Sequence, residues 1–267
     1  MKRVILQLTF GFVAAAGGFA QTRAISGHQD AARTSEGSLE MMPRDLEIRF
    51  ALSALPPSLR EKAAVYVLEP AKGFVLARVG TNGQNCFVER TEWKVAEYRN
   101  DLYTPICYDA AGSESQMLVR FDVAELRAKG LSPQALKEEI EKRFRDGAYR
   151  PPSRAGFSYM AAPLMRTYAS LDPSDKTVMT MVLPHIMYYA PNLTNADVGG
   201  ISPPPLSPYP FVFEPGSLGY IVQRLGDAEA AKIVANEADL LKDLCSYRSY
   251  LCLKAGGPDR PASGPSK

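Results

Sequence analysis

Two histidines, His28 and His185, are the only imidazoles in the 267-residue chain, so any His-based general acid–base or metal chemistry must be built on them. His28 lies in a polar stretch without periodicity. His185 lies in MTMVLPHIMYYAPNLTNADVGG. Written as an extended strand, this segment puts Met179, Met181, Leu183, His185 and Met187 on one side, and Met160 and Met165 stand on an earlier strand-like segment. Thioethers with one imidazole form a soft ligand set suited to Cu(I). The same pattern also describes a packed core, where Met fills gaps and a buried neutral His bonds to the backbone. Pro184 interrupts the alternation, and packing is the preferred reading. A hydrolase can be drawn around the same residue, with His185 as base, Asp197 or Glu89 as its orienter, and Ser158 or Cys107 as nucleophile. No spacing supports that set. The sequence contains no G-x-S-x-G, no H-E-x-x-H, no glycine-rich phosphate loop and no strand-associated G-x-G-x-x-G. No cofactor is expected, and a non-catalytic role is preferred to an enzymatic one.

Four cysteines, Cys86, Cys107, Cys245 and Cys252, lack the Cys-x-x-Cys spacing of zinc or redox sites. An even count in an exported chain favours disulfides. Of three connectivities, Cys86–Cys107 with Cys245–Cys252 is preferred because each pair closes a local loop. Export is read from the N-terminus. Lys2 and Arg3 precede an apolar run from Val4 to Ala16, and Gly18-Phe19-Ala20 forms a small-x-small cleavage site. No later segment approaches ~18 uncharged apolar residues, so no membrane span is expected in the mature chain. Loss of Lys2 and Arg3 leaves 29 of the 31 cationic side chains against 29 acidic ones. That balance argues against nucleic acid, whose binding needs a surplus of cations to release counterions. The expected location is periplasmic or secreted.

The elements that must position these groups read as α+β: a mainly antiparallel sheet covered by two or three helices and stapled by disulfides. Residues 1–20 are the signal, 21–42 a flexible lead, 43–254 a single globular domain and 255–267 a disordered tail. Leu46, Phe50 and Leu52 predict a short helix stopped by Pro56-Pro57. Ala63 to Glu69, Phe74 to Val79 and Gln84 to Arg90 predict three strands. The Gly80-Thr81-Asn82-Gly83 stretch between the last two signals an antiparallel meander. Cys107 is placed in a following loop, and Gln116 to Phe121 is read as a strand. Ser132 as N-cap, Pro133 at the first helical position and Leu131 against Leu136 define a helix to Phe144. Its wet face is supported by Glu138 with Lys142 and Glu139 with Arg143. Phe157 to Met165 and Val178 to Ala190 read as strands broken at Pro163 and Pro184. A proline-rich connection over 202–210, a strand over Leu218 to Gln223 and one helix capped by Asp227 follow.

The blocks TNGQNCFVER, PICYDAAGS, FSYM and PHIMYYAP resemble those of an uncharacterised family of secreted bacterial proteins. That family carries TNG-x-x-C-x-V-E-R, P-x-C-[YF], Y-M-[ML] and P-H-[LI]-M-[FY] blocks. The resemblance extends over much of 45–190 and marks Thr81, Asn82, Gly83, Cys86, Cys107, Met160, Pro184, His185 and Met187. It implies bacterial export and a shared fold, and names no reaction. Apart from the resemblance, the aromatic, proline-containing extended segment is read as a low-entropy contact surface that binds a small ligand or an envelope protein, with Asn82, His185, Tyr188, Tyr189 and the proline-rich connection as candidates. The Cys86–Cys107 bridge would anchor the Thr81-Asn82-Gly83 turn beside His185.

Overall fold

The computed structural model describes residues 39–170, 172–199 and 209–253. The expected signal, the lead up to residue 38, the prolines of 202–208 and the expected tail lie outside the described residues. The end of the expected lead is held to the fold: Leu39 and Met42 are buried, and the Glu40 carboxylate meets Arg248.

The elements run α1 (Arg44–Ser53), α2 (Pro57–Arg60), β1 (Ala64–Glu69), β2 (Gly73–Arg78), β3 (Asn85–Glu89), β4 (Thr104–Tyr108), α3 (Ala110–Ser113), α4 (Gln116–Ala128) and α5 (Pro133–Arg145). They continue with β5 (Phe157–Met160), β6 (Met165–Tyr168), β7 (Val178–Met181), β8 (His185–Tyr189), α6 (Asn195–Val198), β9 (Phe211–Glu214), β10 (Tyr220–Arg224), α7 (Asp227–Asn236) and α8 (Ala238–Tyr247). Among the described residues one sheet has eight strands in the order β2-β1-β3-β4-β5-β8-β10-β9, and β6 pairs with β7 in a second sheet. The fold is α+β and mainly antiparallel, the one parallel pair among the described residues being β1 with β3.

That parallel pair corrects the expected meander. The Thr81 and Asn82 N–H groups donate to the Lys62 carbonyl at 2.7 and 3.2 Å, so the chain leaving β2 crosses the start of β1 and enters on its far side. Gly80 allows the crossing, because a Cβ there would stand 2.1 Å from the Ala64 nitrogen. Asn82 locks it, donating from Nδ2 to the Leu59 carbonyl at 2.8 Å and accepting the Gln84 N–H at 3.1 Å.

Two further expectations change. Gln116 to Phe121 begins α4 rather than a strand. The buried residues Met117, Val119, Val123, Ala124 and Leu126 recur at helical spacing, a pattern that six residues are too few to separate from alternation. Phe121 projects from this helix onto Tyr66, Phe74 and Phe87, with ring centroids 5.0, 5.1 and 5.4 Å away. The late helix is two helices, α7 beginning at Asp227 after Gly226 and α8 beginning after Glu237. Helix α5 forms as expected: Ser132 Oγ accepts the Ala135 N–H and Pro133 occupies the first turn. Leu136 and Ile140 are fully buried. Arg143 pairs with Glu139 at 2.9 Å, whereas Lys142 pairs with Asp146 instead of Glu138.

The two faces of the large sheet are built differently. On one, Phe50, Ala51, Leu55, Leu240, Leu244 and Leu251 pack with Cys86, Cys107 and Val88 in a single apolar cluster. Cys86 and Cys107 are direct partners across β3 and β4, which corrects the loop placement of Cys107, and they form a disulfide. Cys245–Cys252 is the second disulfide, fixing the chain beyond α8. On the other face α4 covers β1, β2 and β3 through Phe121, and α5 packs on α4. The part formed by β5, β8 and β10 faces a cavity.

Candidate functional site

Strand alternation builds the wall of this cavity. Met160, His185 and Arg224 stand in one row across β5, β8 and β10, and Ser158, Met187 and Val222 stand in the next row on the same face. Tyr189 and Tyr220 follow. All eight line a cavity of about 180 Å3, lined further by Val119 and Arg120 of α4, Phe144 of α5, Trp93, Phe211 and Leu218. The intervening residues face away; Tyr188 is 43% exposed and meets the Phe157 ring at 6.3 Å.

His185 is buried, and its Nδ1 lies 2.7 Å from the Leu183 carbonyl oxygen. A carbonyl only accepts, so Nδ1 carries the proton and, in the neutral ring, Nε2 keeps a lone pair. Burial holds the imidazole pKa below its ordinary value, and the Arg224 charge pushes the same way. Arg224 has no side-chain hydrogen bond or ion pair among the described residues, and its buried Nε has no partner. Tyr189 is fixed at the other end: its hydroxyl donates to Asp109 Oδ1 at 3.3 Å. Asp109 in turn accepts the Gly112 and Phe157 N–H groups. A Cβ on Gly112 would stand 1.9 Å from the Tyr189 hydroxyl oxygen, so the ring reaches Asp109 only over a glycine.

Of the other cavity charges, Glu92 accepts the Lys94 N–H at 3.1 Å and the rest are paired. Arg120 pairs with Glu89 at 2.9 Å, both side chains largely buried, and Lys94 pairs with Glu214 at 2.6 Å at the rim. Burial and the nearby Glu92 raise the Glu89 pKa while Arg120 opposes them. The carboxylates hold Arg120 charged, well above the ordinary guanidinium range.

Of the residues singled out from the sequence, the fold brings together His185, Tyr189, Met160 and Met187, with Met165 also on the cavity wall. It leaves Asn82 at the β2–β3 crossing, where both amide atoms are used on the backbone. Strands β3 and β8 are three strand spacings apart in the sheet, roughly 14 Å, so the crossing does not sit beside His185. Met179 and Met181 belong to the second sheet, opposite Thr167 and Met165. The one-sided Met179–Met187 alternation ends at Pro184, where the chain changes sheets.

Of the hydrolase set, His185, Glu89 and Ser158 all line the cavity, but no hydrogen bond joins them among the described residues. Cys107 is oxidised and on the opposite face. Asp197 caps α6 through Thr194, Glu89 is committed to Arg120, and the hydrogen bond of His185 goes to a backbone carbonyl.

Sequence reasoning missed Arg224, Arg120, Trp93 and Phe211. A signal for Arg224 was present: Tyr220, Val222 and Arg224 alternate along β10, which sets a cation on the inward face. Arg120 was hidden because its segment was read as a strand, whereas on a helix it falls in the stripe of Met117 and Ala124. Among the described residues no group of three or more His, Cys, Asp or Glu side chains is arranged to hold a metal ion, and no helix is long and apolar enough to cross a membrane. Compared with protein-family models, curated proteins and solved structures, the chain matches none of them.

Proposed function

We propose that this chain is an exported, non-catalytic binding protein that holds a small, mainly apolar ligand in the cavity under α4. The cavity itself carries the reading. Native interiors are packed with few voids larger than a water molecule, and apolar cavities of roughly 150 Å3 admit benzene-sized guests. This one is about 180 Å3 and is walled by Met160, Met187, Val222, Phe211 and Leu183. Two disulfides support export, since such bonds persist in oxidising compartments. The charged start and apolar run of residues 2–16 point the same way, as does the resemblance to secreted bacterial proteins. A binding role agrees with the commitments of Cys107, Asp197 and Glu89 to structure. Copper fits less well. Met160, His185 and Met187 share the wall, but the unpaired Arg224 cation is the cross-strand neighbour of His185 and repels a metal ion there.

The methionines make the test internal to the protein. With 13C-methyl-methionine labelling, 1-octanol is expected to shift the signals of Met160, Met165 and Met187 and to leave Met179 and Met181 in place. Val222→Phe, which narrows the cavity, is expected to abolish those shifts. Octanol shifts spread evenly over all methionines, or none at all, would overturn the proposal.

A further inference from the structure

Arg224 is the one cavity-lining cation among the described residues without a counter-charge. The other, Arg120, has Glu89. Arginines elsewhere have partners: Arg166, whose Nε is also unpartnered, pairs through Nη2 with Asp101 at 2.7 Å. Arg90 and Arg127 donate to backbone carbonyls and lie over the rings of Tyr103 and Tyr98. The carboxylates on the cavity wall are Glu89, Glu92 and Glu214, and none forms an ion pair with Arg224. The Arg224 Nε is buried without a partner, which is costly, and a planar fork of N–H donors fits a carboxylate better than any neutral group. Its neighbours are His185, which carries no positive charge of its own while burial keeps it neutral, and the apolar side chains of Val222 and Met160.

Resting on the binding role above, we infer that the ligand is an apolar monocarboxylate, its carboxylate seated on the Arg224 guanidinium and its chain or ring against Met160, Met187 and Val222. A cavity of about 180 Å3 sets the size at roughly six to ten non-hydrogen atoms by comparison with benzene-sized guests. Aromatic acids and short-chain fatty acids are the matching class.

The experiment compares each acid with its neutral isostere, benzoate with benzamide and octanoate with octanamide, by calorimetry and by the emission of Trp93. Trp93 is the single tryptophan and lines the cavity. A charge-assisted hydrogen bond predicts that the acids bind roughly ten- to a hundredfold tighter than the amides. In Arg224→Met that preference is expected to fall to about twofold or less, an unchanged urea midpoint showing the fold intact, and Arg224→Lys is expected to retain part of it. Equal binding of acid and amide to the native protein would overturn the inference and leave the binding role standing. So would an acid preference that survives Arg224→Met. Failure of all four compounds to bind would overturn both.

Discussion

Glu47 offers a prediction whose sign and size both follow from its surroundings. It lies on α1 at 2% exposure and accepts the Leu68 N–H at 2.9 Å. Burial raises its pKa from 4.5 to about 7, although the Leu68 hydrogen bond, Arg90 and Arg44 all favour the ionised form. Between pH 4.5 and 7 the folded state therefore holds one proton more than the unfolded chain, and stability contributed by this group falls as pH rises. The contribution is fully present below the unfolded pKa and lost on passing through the folded one. A displacement of that size is worth about 3 kcal/mol at 1.36 kcal/mol per pH unit. Glu47→Gln keeps an acceptor for Leu68 and removes the ionisation. Urea unfolding of both proteins at pH 4.5 and 8.5 is the assay. The variant is expected to match the native protein at the lower pH and to be about 3 kcal/mol more stable at the higher one, with Arg90 still held by the Leu102 and Asn100 carbonyls. A variant less stable at pH 8.5 would refute the reasoning, because it would mean that the attraction of Arg90 outweighs desolvation and that Glu47 folds ionised.

Two other predictions concern what holds the sheet. Replacing Cys86 and Cys107 by Ala removes a bridge of sequence separation 21, worth about 3 kcal/mol in loop closure, against about 2 kcal/mol for Cys245 and Cys252 at separation 7. Urea midpoints are expected in that order, widened because the first pair also packs inside the α1 cluster; the reverse order would show that loop length is not what matters. Gly80→Ala puts a Cβ into the Ala64 backbone and is expected to cost about 2 kcal/mol or more, lowering the melting temperature by roughly 4–8 °C. An unchanged melting temperature would mean that the crossing into β3 relaxes freely.

The parts of this fold that were legible in the sequence are those fixed by local chemistry. Ser132, Pro133 and the stripe Leu136, Ile140 and Phe144 specify α5 from within thirteen residues, and the β1–β2 hairpin follows from Pro70 to Gly73 in the same way. What escaped depends on contacts distant in sequence. The Gly80-Thr81-Asn82-Gly83 stretch has hairpin composition, but the Lys62 carbonyl that captures it lies before β1, and only that contact turns a meander into a parallel pair. Phe121 satisfies either period until the aromatic side chains of β1, β2 and β3 are placed beneath it. His185 and Tyr189 were found because alternation alone puts them on one face; Asn82 was grouped with them although its amide is consumed locally. Arg224 obeys the same alternation, but its lack of an ion pair among the described residues is a property of the fold that no run of residues around it reveals.

The contrast between the two sheet faces explains how such a site persists. A space of about 180 Å3 forfeits the packing contacts its lining side chains would make in a filled core, and the unpartnered Arg224 Nε adds to that cost. Selection for packing alone would close the void with one larger side chain at Val222 or Ser158. The opposite face shows that the fold packs tightly elsewhere: Phe50, Leu55, Val88, Leu244 and Leu251 are almost completely buried around the Cys86–Cys107 bridge. Because β4 carries Cys107 outward and Ile106 and Tyr108 inward, the stapled core and the cavity wall share the same strands. The bridge therefore holds β3 and β4 in register, and with them the sheet onto which β5, β8 and β10 are paired, without occupying the cavity. A cation-bearing cavity on a scaffold packed tightly on its opposite face is the arrangement expected when a ligand, rather than a side chain, completes the packing.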